Sequence, residues 1–139
     1  MKYPAREEFL DRFGLEPFKV DPEIGLFVYR AGSEGQVEVE FSFSLVMRSF
    51  QALISIDGGG GDVSVISSEG VNSISIFENN GRSGLRIEFI PGLGLSRAEL
   101  VLEPTIHLSW STLVRRDVRQ QAGEARQGVF GEVVRQSGP

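Results

Sequence analysis

Residues 37–45 constrain the fold more than any other stretch of the chain. Val37, Val39, Phe41, Phe43 and Leu45 alternate with Glu38, Glu40, Ser42 and Ser44. Successive side chains of an extended strand point to opposite faces, so this period of two makes a long strand, apolar on one side and polar on the other. Such a strand cannot stand alone. Its apolar face must be covered by a second layer. Phe50, Ala52, Ile54 and Ile56 repeat the same period after a short link at 47–49 and read as the antiparallel return.

The pattern continues along the chain. Residues 24–30, 63–67, 71–78, 85–90, 98–103 and 105–113 read as further strands. They are short, evenly spaced and separated by turns rich in Gly, Asn and Ser. Asn79-Asn80-Gly81 is the strongest turn signal, because Asn and Gly tolerate positive φ. The expected fold is therefore mainly β: an antiparallel β-sandwich or a strongly curved sheet. Its core should contain Val39, Phe41, Phe43, Ile54, Ile56, Ile74, Ile76, Ile87, Phe89, Leu108 and Trp110.

The two ends read differently. Pro4, the acids Glu7 and Glu8, the apolar set Phe9, Leu10 and Phe13, and then Gly14 predict a short N-terminal helix. Glu16-Pro17 and Asp21-Pro22 then predict an irregular connection. Beyond Leu113, helical spacing of Val114, Val118, Ala122, Ala125, Val129 and Val133 is interrupted by Gly123, Gly128 and Gly131. These glycines weaken any helix there. The expected organisation is one β-rich domain over residues 1–113, followed by a partly helical or flexible tail over 114–139.

Composition excludes several chemistries. The 139 residues include no Cys and one His. There can be no disulfide framework, thiol nucleophile, Cys-ligated metal or multi-histidine site. The start, Met1-Lys2-Tyr3-Pro4-Ala5-Arg6-Glu7-Glu8, has no apolar targeting run, and no segment approaches the roughly 20 apolar residues of a membrane span. A cytoplasmic protein that engages no membrane is expected. Charge is uneven. Residues 1–104 carry a net −7 and residues 105–139 a net +2. An acidic body repels phosphate backbones and attracts basic partners.

Candidate sites are few. The run Gly58–Gly61 lacks the Lys and Ser/Thr of a phosphate loop, and Asp62 after it would repel phosphate. A hairpin loop flanked by Asp57 and Asp62 fits better, with partner contact as its functional reading. His107 shares a strand face with Thr105, Ser109 and Ser111, but no Gly-x-Ser-x-Gly nucleophile turn accompanies it. Glu38 and Glu40 sit about 7 Å apart on one strand face. Glycosidase work would need a cleft around such a pair, and this polar face offers only Gln36, Ser42 and Ser44. A solvated sheet face or an acidic contact row is the better reading. Arg115, Arg116 and Arg119 make a short basic stripe without aromatics, which does not suffice for nucleic-acid binding. No cofactor, metal or catalytic set is expected. The candidate partner-binding residues are Glu38, Glu40, Asp57 and Asp62.

A small, acidic, β-rich chain without Cys, metal ligands or a targeting signal resembles the immunity proteins of bacterial contact-dependent growth inhibition and polymorphic toxin systems. The resemblance is one of overall character along the chain, rests on no motif and carries no site residues with it. It implies a non-catalytic protein that binds a cognate toxin domain, often a basic nuclease, and blocks its active site or an adjacent surface. A β-sandwich carbohydrate-binding or structural module is the alternative.

Overall fold

A computed structural model of the chain describes residues 1–33, 37–56, 61–92, 95–112 and 130–132. After one helix, α1 (Arg6–Phe13), come β1 (Lys19–Asp21), β2 (Leu26–Ser33), β3 (Val37–Ser44), β4 (Ser49–Ile56) and β5 (Gly61–Glu69). These five strands form one antiparallel sheet in chain order. The second sheet is built from β6 (Val71–Asn79), β7 (Arg82–Phe89), β8 (Leu95–Glu103), β9 (His107–Thr112) and β10 (Phe130–Glu132), again antiparallel and in order. Both sheets feed one buried cluster, so the molecule is mainly β and a sandwich. No helix among the described residues is long and apolar enough to cross a membrane.

The period-two reading explains the inner face of the first sheet. Register aligns Tyr29, Phe41, Ala52 and Ile66 in one row and Phe27, Phe43 and Phe50 in the next. Across the sandwich stand Ile74, Leu85, Ile87, Ala98, Leu100 and Leu108. Of the expected core, Val39, Phe41, Phe43, Ile54, Ile74, Ile87, Phe89 and Leu108 are buried. Ile56, Ile76 and Trp110 are only half-buried. Ile56 ends its strand opposite Gly61, Ile76 sits on the edge strand β6, and Trp110 faces Gly131, which has no side chain to cover it.

The sheets join through a single residue. Gly70, at φ 79°, lies between the end of β5 and the start of β6. A left-handed conformation lets the chain turn from one layer to the other, and only Gly adopts it without steric cost. The Val71 N–H donates to the Arg48 carbonyl at 2.9 Å, tying this corner to the β3–β4 hairpin.

The N-terminal helix ends at Gly14 in the left-handed conformation, with φ 69°. At its start the Glu8 carboxylate accepts the Ala5 N–H at 2.8 Å. That is the side-chain-to-backbone half of a capping box. Phe9 is its one buried residue, and its ring stacks on Tyr29 with centroids 4.3 Å apart. Phe41 and Phe43 lie 6.1 and 6.2 Å away. Arg12 reaches from the helix to the second sheet, meeting Glu103 at 3.1 Å and Glu78 at 3.4 Å. Burial of Tyr29 pushes its phenol pKa up to about 12, with Arg6 opposing the shift and Glu7 adding to it.

Two short strands escape the sequence pattern. Lys19–Asp21 lies in the expected irregular connection between Pro17 and Pro22, yet pairs with β2. Phe130–Glu132, within the stretch read as a partly helical tail, pairs with β9 through Phe130–Ser111 and Glu132–Ser109. The rest of the tail expectation falls at 114–129 and 133–139, outside the described residues.

Candidate functional site

The candidate acids fall on the outer face of the first sheet. Its strands put every second residue inward, so Glu38 and Glu40 of β3 point away from the core that holds Val39 and Phe41. Glu38 is exposed. Its Cγ lies 3.6 Å from where a Cβ on Gly32 would stand, so the stem lies across the glycine of the neighbouring strand. Glu40 has a different setting. The Arg30 Nε donates to its carboxylate at 3.2 Å, so its charge is partly matched. The pair is solvent-exposed on both sides and contributes little to stability.

Register brings a third candidate to the same corner. Glu38 pairs with Ser55, and Ser55 pairs with Asp62 across a β-bulge. Positions 38 and 62 are thus two strands apart in one row, about 10 Å between backbones. Asp57 lies outside the described residues. The structure therefore places Glu38, Glu40 and position 62 on one side of the sheet's free end.

The same face carries apolar side chains between its charges. Arg30, Glu40, Leu53 and Val65 form one row across β2 to β5. Val65 is 56% exposed, at the sheet edge. At the other side of the row the Arg30 guanidinium lies 3.8 Å from the Phe18 ring centroid, and Phe18 is itself exposed. This cation–π contact orders the arginine beside Glu40. The face is mixed in polarity, suited to contact with another macromolecule rather than to enclosing a small ligand.

The outer face of the second sheet is laced with ion pairs. Arg86 meets Glu99 at 2.9 Å and Arg97 meets Glu88 at 3.6 Å. His107 lies there at the start of β9, with Ser109 and Ser111 on its side of the strand; Thr105 falls before the strand begins. The Arg82 Nη2 stands 3.4 Å from its Nδ1. An arginine occupies the position where a general base would need an orienting carboxylate. Among the described residues no group of three or more His, Cys, Asp and Glu converges as a metal site. The cleft between α1 and the following turn is lined by Arg6, Glu7, Leu10, Glu16 and Pro17, about 230 Å³ and open to solvent, with no Ser, Thr, Cys, His or Lys in that lining.

Sequence reasoning missed the apolar members of the first sheet's outer face. Phe18 precedes a strand too short to show a period, and Leu53 and Val65 join the Glu40 row only through strand order and register.

No protein-family model matches the chain, and no curated protein matches it. Among solved structures, the fold is similar to a chain of the contact-dependent growth inhibition toxin–immunity protein complex from Klebsiella pneumoniae 342. The TM-score is 0.72 and the identity 26%, over 79% of this chain and 95% of that one.

Proposed function

We propose that the chain is an immunity protein: a non-catalytic binder that neutralises a cognate, basic, nuclease-like toxin domain in the cytoplasm. The observation that carries this is the likeness to one partner of a toxin–immunity complex, extending over nearly the whole of that partner. Which of the two halves the chain corresponds to is argued from its chemistry. The residues up to 104 are strongly acidic, the chain has no Cys, and its one His sits against an arginine. A nuclease toxin needs a cationic, chemically equipped cleft, whereas its inhibitor needs a complementary anionic surface. The carbohydrate-module alternative is not favoured, because the outer face of the first sheet offers mixed charge rather than an aromatic-lined groove.

Glu38, Glu40 and Asp62, with Asp57 beside them in sequence, are the proposed toxin-facing acids. The strand ladder holds Glu38 and Glu40 in place, so little ordering entropy is lost there on binding. Long-range attraction from such a row acts mainly on the rate of encounter. The experiment is binding of the product of the gene adjacent to this chain's own, across a salt series. Glu38→Lys with Glu40→Lys should slow association and flatten its salt dependence while leaving the fold intact. Binding that ignores both salt and these substitutions would remove the acidic row from the interface.

A further inference from the structure

The sandwich has four sheet edges, and three of them are blunted. The edge strands β1 and β10 are three residues long. β6 is met by the N-terminus: Lys2 bridges to Ser73, donating to the Asn72 carbonyl at 3.2 Å and accepting from the Ile74 N–H at 2.8 Å. The fourth, β5, runs for nine residues, Gly61–Glu69, and among the described residues only β4 pairs with it. It contains no Pro and no Lys, the residues that usually protect an edge. One bulge interrupts its ladder, between Ile54 and Ser55 of β4, which leaves Ser64–Glu69 in regular register.

The ladder fixes which backbone groups point outward. The Leu45 N–H donates to the Gly25 carbonyl at 3.0 Å, one step beyond the Leu26–Ser44 pair. In an antiparallel ladder bonded and non-bonded pairs alternate. Odd positions of β3 therefore bond to β2, and Ser42 and Glu40 bond to Gln51 and Leu53 of β4. Phe50, Ala52 and Ile54 are left to bond Ser68, Ile66 and Ser64 of β5. The N–H and C=O groups of Val65, Ser67 and Glu69 then face the open edge.

We propose that the toxin docks here by adding an extended segment to β5, antiparallel or parallel, with basic side chains at the ends of that segment. The proposal rests on the immunity reading and names the contact it would use. Charge decides between a foreign strand and a second copy. Two copies paired antiparallel over the whole of β5 would gather the acidic positions 62 and 69 at both ends of the shared seam, and like charges brought close repel. A toxin segment carrying Lys or Arg there meets the same two acids favourably. At its centre it meets the exposed Val65, next to Leu53 in the same row. Backbone bonds supply strand-addition affinity and the side-chain rows supply its selectivity.

The test uses Ser67, exposed and outward-bonding. Ser67→Pro removes an N–H that β4 does not use and sets a ring against an incoming strand. Ser67→Ala keeps the N–H. With the toxin domain encoded beside this gene as probe, Ser67→Pro should weaken binding by about tenfold to a hundredfold, given what one or two backbone bonds contribute. Ser67→Ala should stay within about threefold. Hydrogen exchange on the unsubstituted protein gives a second readout. The Val65, Ser67 and Glu69 amides should exchange fast in the free protein and slowly in the complex. Tight toxin binding with these amides still fast, or with Ser67→Pro unaffected, overturns the strand addition and leaves the immunity reading standing. Slow exchange in the free monomer means the chain's own residues cover the edge, and a dimer abolished by Ser67→Pro means a second copy does; either overturns it. No toxin binding by the unsubstituted protein overturns the immunity reading itself.

Discussion

Phe9 is the one fully buried side chain of the N-terminal helix, with Phe13 packed only partly buried beside it, so Phe9→Ala should release that helix. Its ring is fully buried between the helix and the inner face of the first sheet, 4.3 Å from Tyr29 and within about 6 Å of Phe41 and Phe43. Losing the ring forfeits a transfer term of roughly 2–3 kcal/mol, and the cavity it leaves raises the cost to about 3–5 kcal/mol. Eight residues cannot hold a helix alone in water, so α1 should fray once its anchor is gone. The Arg12 ion pairs are part-exposed and too weak to retain it. Urea denaturation gives the stability change, and hydrogen exchange of residues 6–13 gives the state of the helix. Phe9→Leu, which refills most of the volume, should cost clearly less. A loss below about 1 kcal/mol with the helix amides still protected would refute the argument that Phe9 anchors the helix.

Two further perturbations probe the packing. Tyr29 has a folded pKa of about 12 against an ordinary value of 10. A raised folded pKa stabilises fully below pH 10 and loses that contribution as pH climbs through 10 to 12, by roughly 2–3 kcal/mol in all. Urea midpoints followed across that window should fall, and should fall less in Tyr29→Phe; identical slopes would contradict the assignment. Gly84→Ala should destabilise by about 1–3 kcal/mol or more. A Cβ there would overlap the Leu100 carbonyl oxygen and stand 2.7 Å from the Val101 Cα, both backbone atoms at the β7–β8 bulge. An unchanged thermal midpoint would show that the bulge opens freely.

The inner face of the fold was legible wherever the chain alternates over several residues. Residues 37–44 and 49–56 form the strands their pattern demands, because a period of two with one apolar face has only one way to be buried. Where segments are three residues long, as at Lys19–Asp21 and Phe130–Glu132, there is no period to read. At Phe130–Glu132 the flanking valines even mimic helical spacing. Phe9 and Tyr29 show a different limit: each looks ordinary in sequence, and only the packing of helix on sheet makes them the centre of an aromatic cluster. The acids of the proposed site were visible as residues. Their grouping was not, because it depends on strand order and on the bulge that sets Asp62 opposite Ser55. That β5 ends its sheet among the described residues depends wholly on strand order and could not be read from the chain.

The central claim, that this chain is the protective half of a toxin pair, is tested most directly by growth. The product of the adjacent gene, as the candidate toxin, is induced in cells with and without this chain, and the chain is also induced alone. The account predicts that the toxin alone halts growth, that co-expression restores it, and that the chain alone has no effect. Growth arrest by the chain alone, or failure of the co-expressed, folded chain to restore growth, would contradict it.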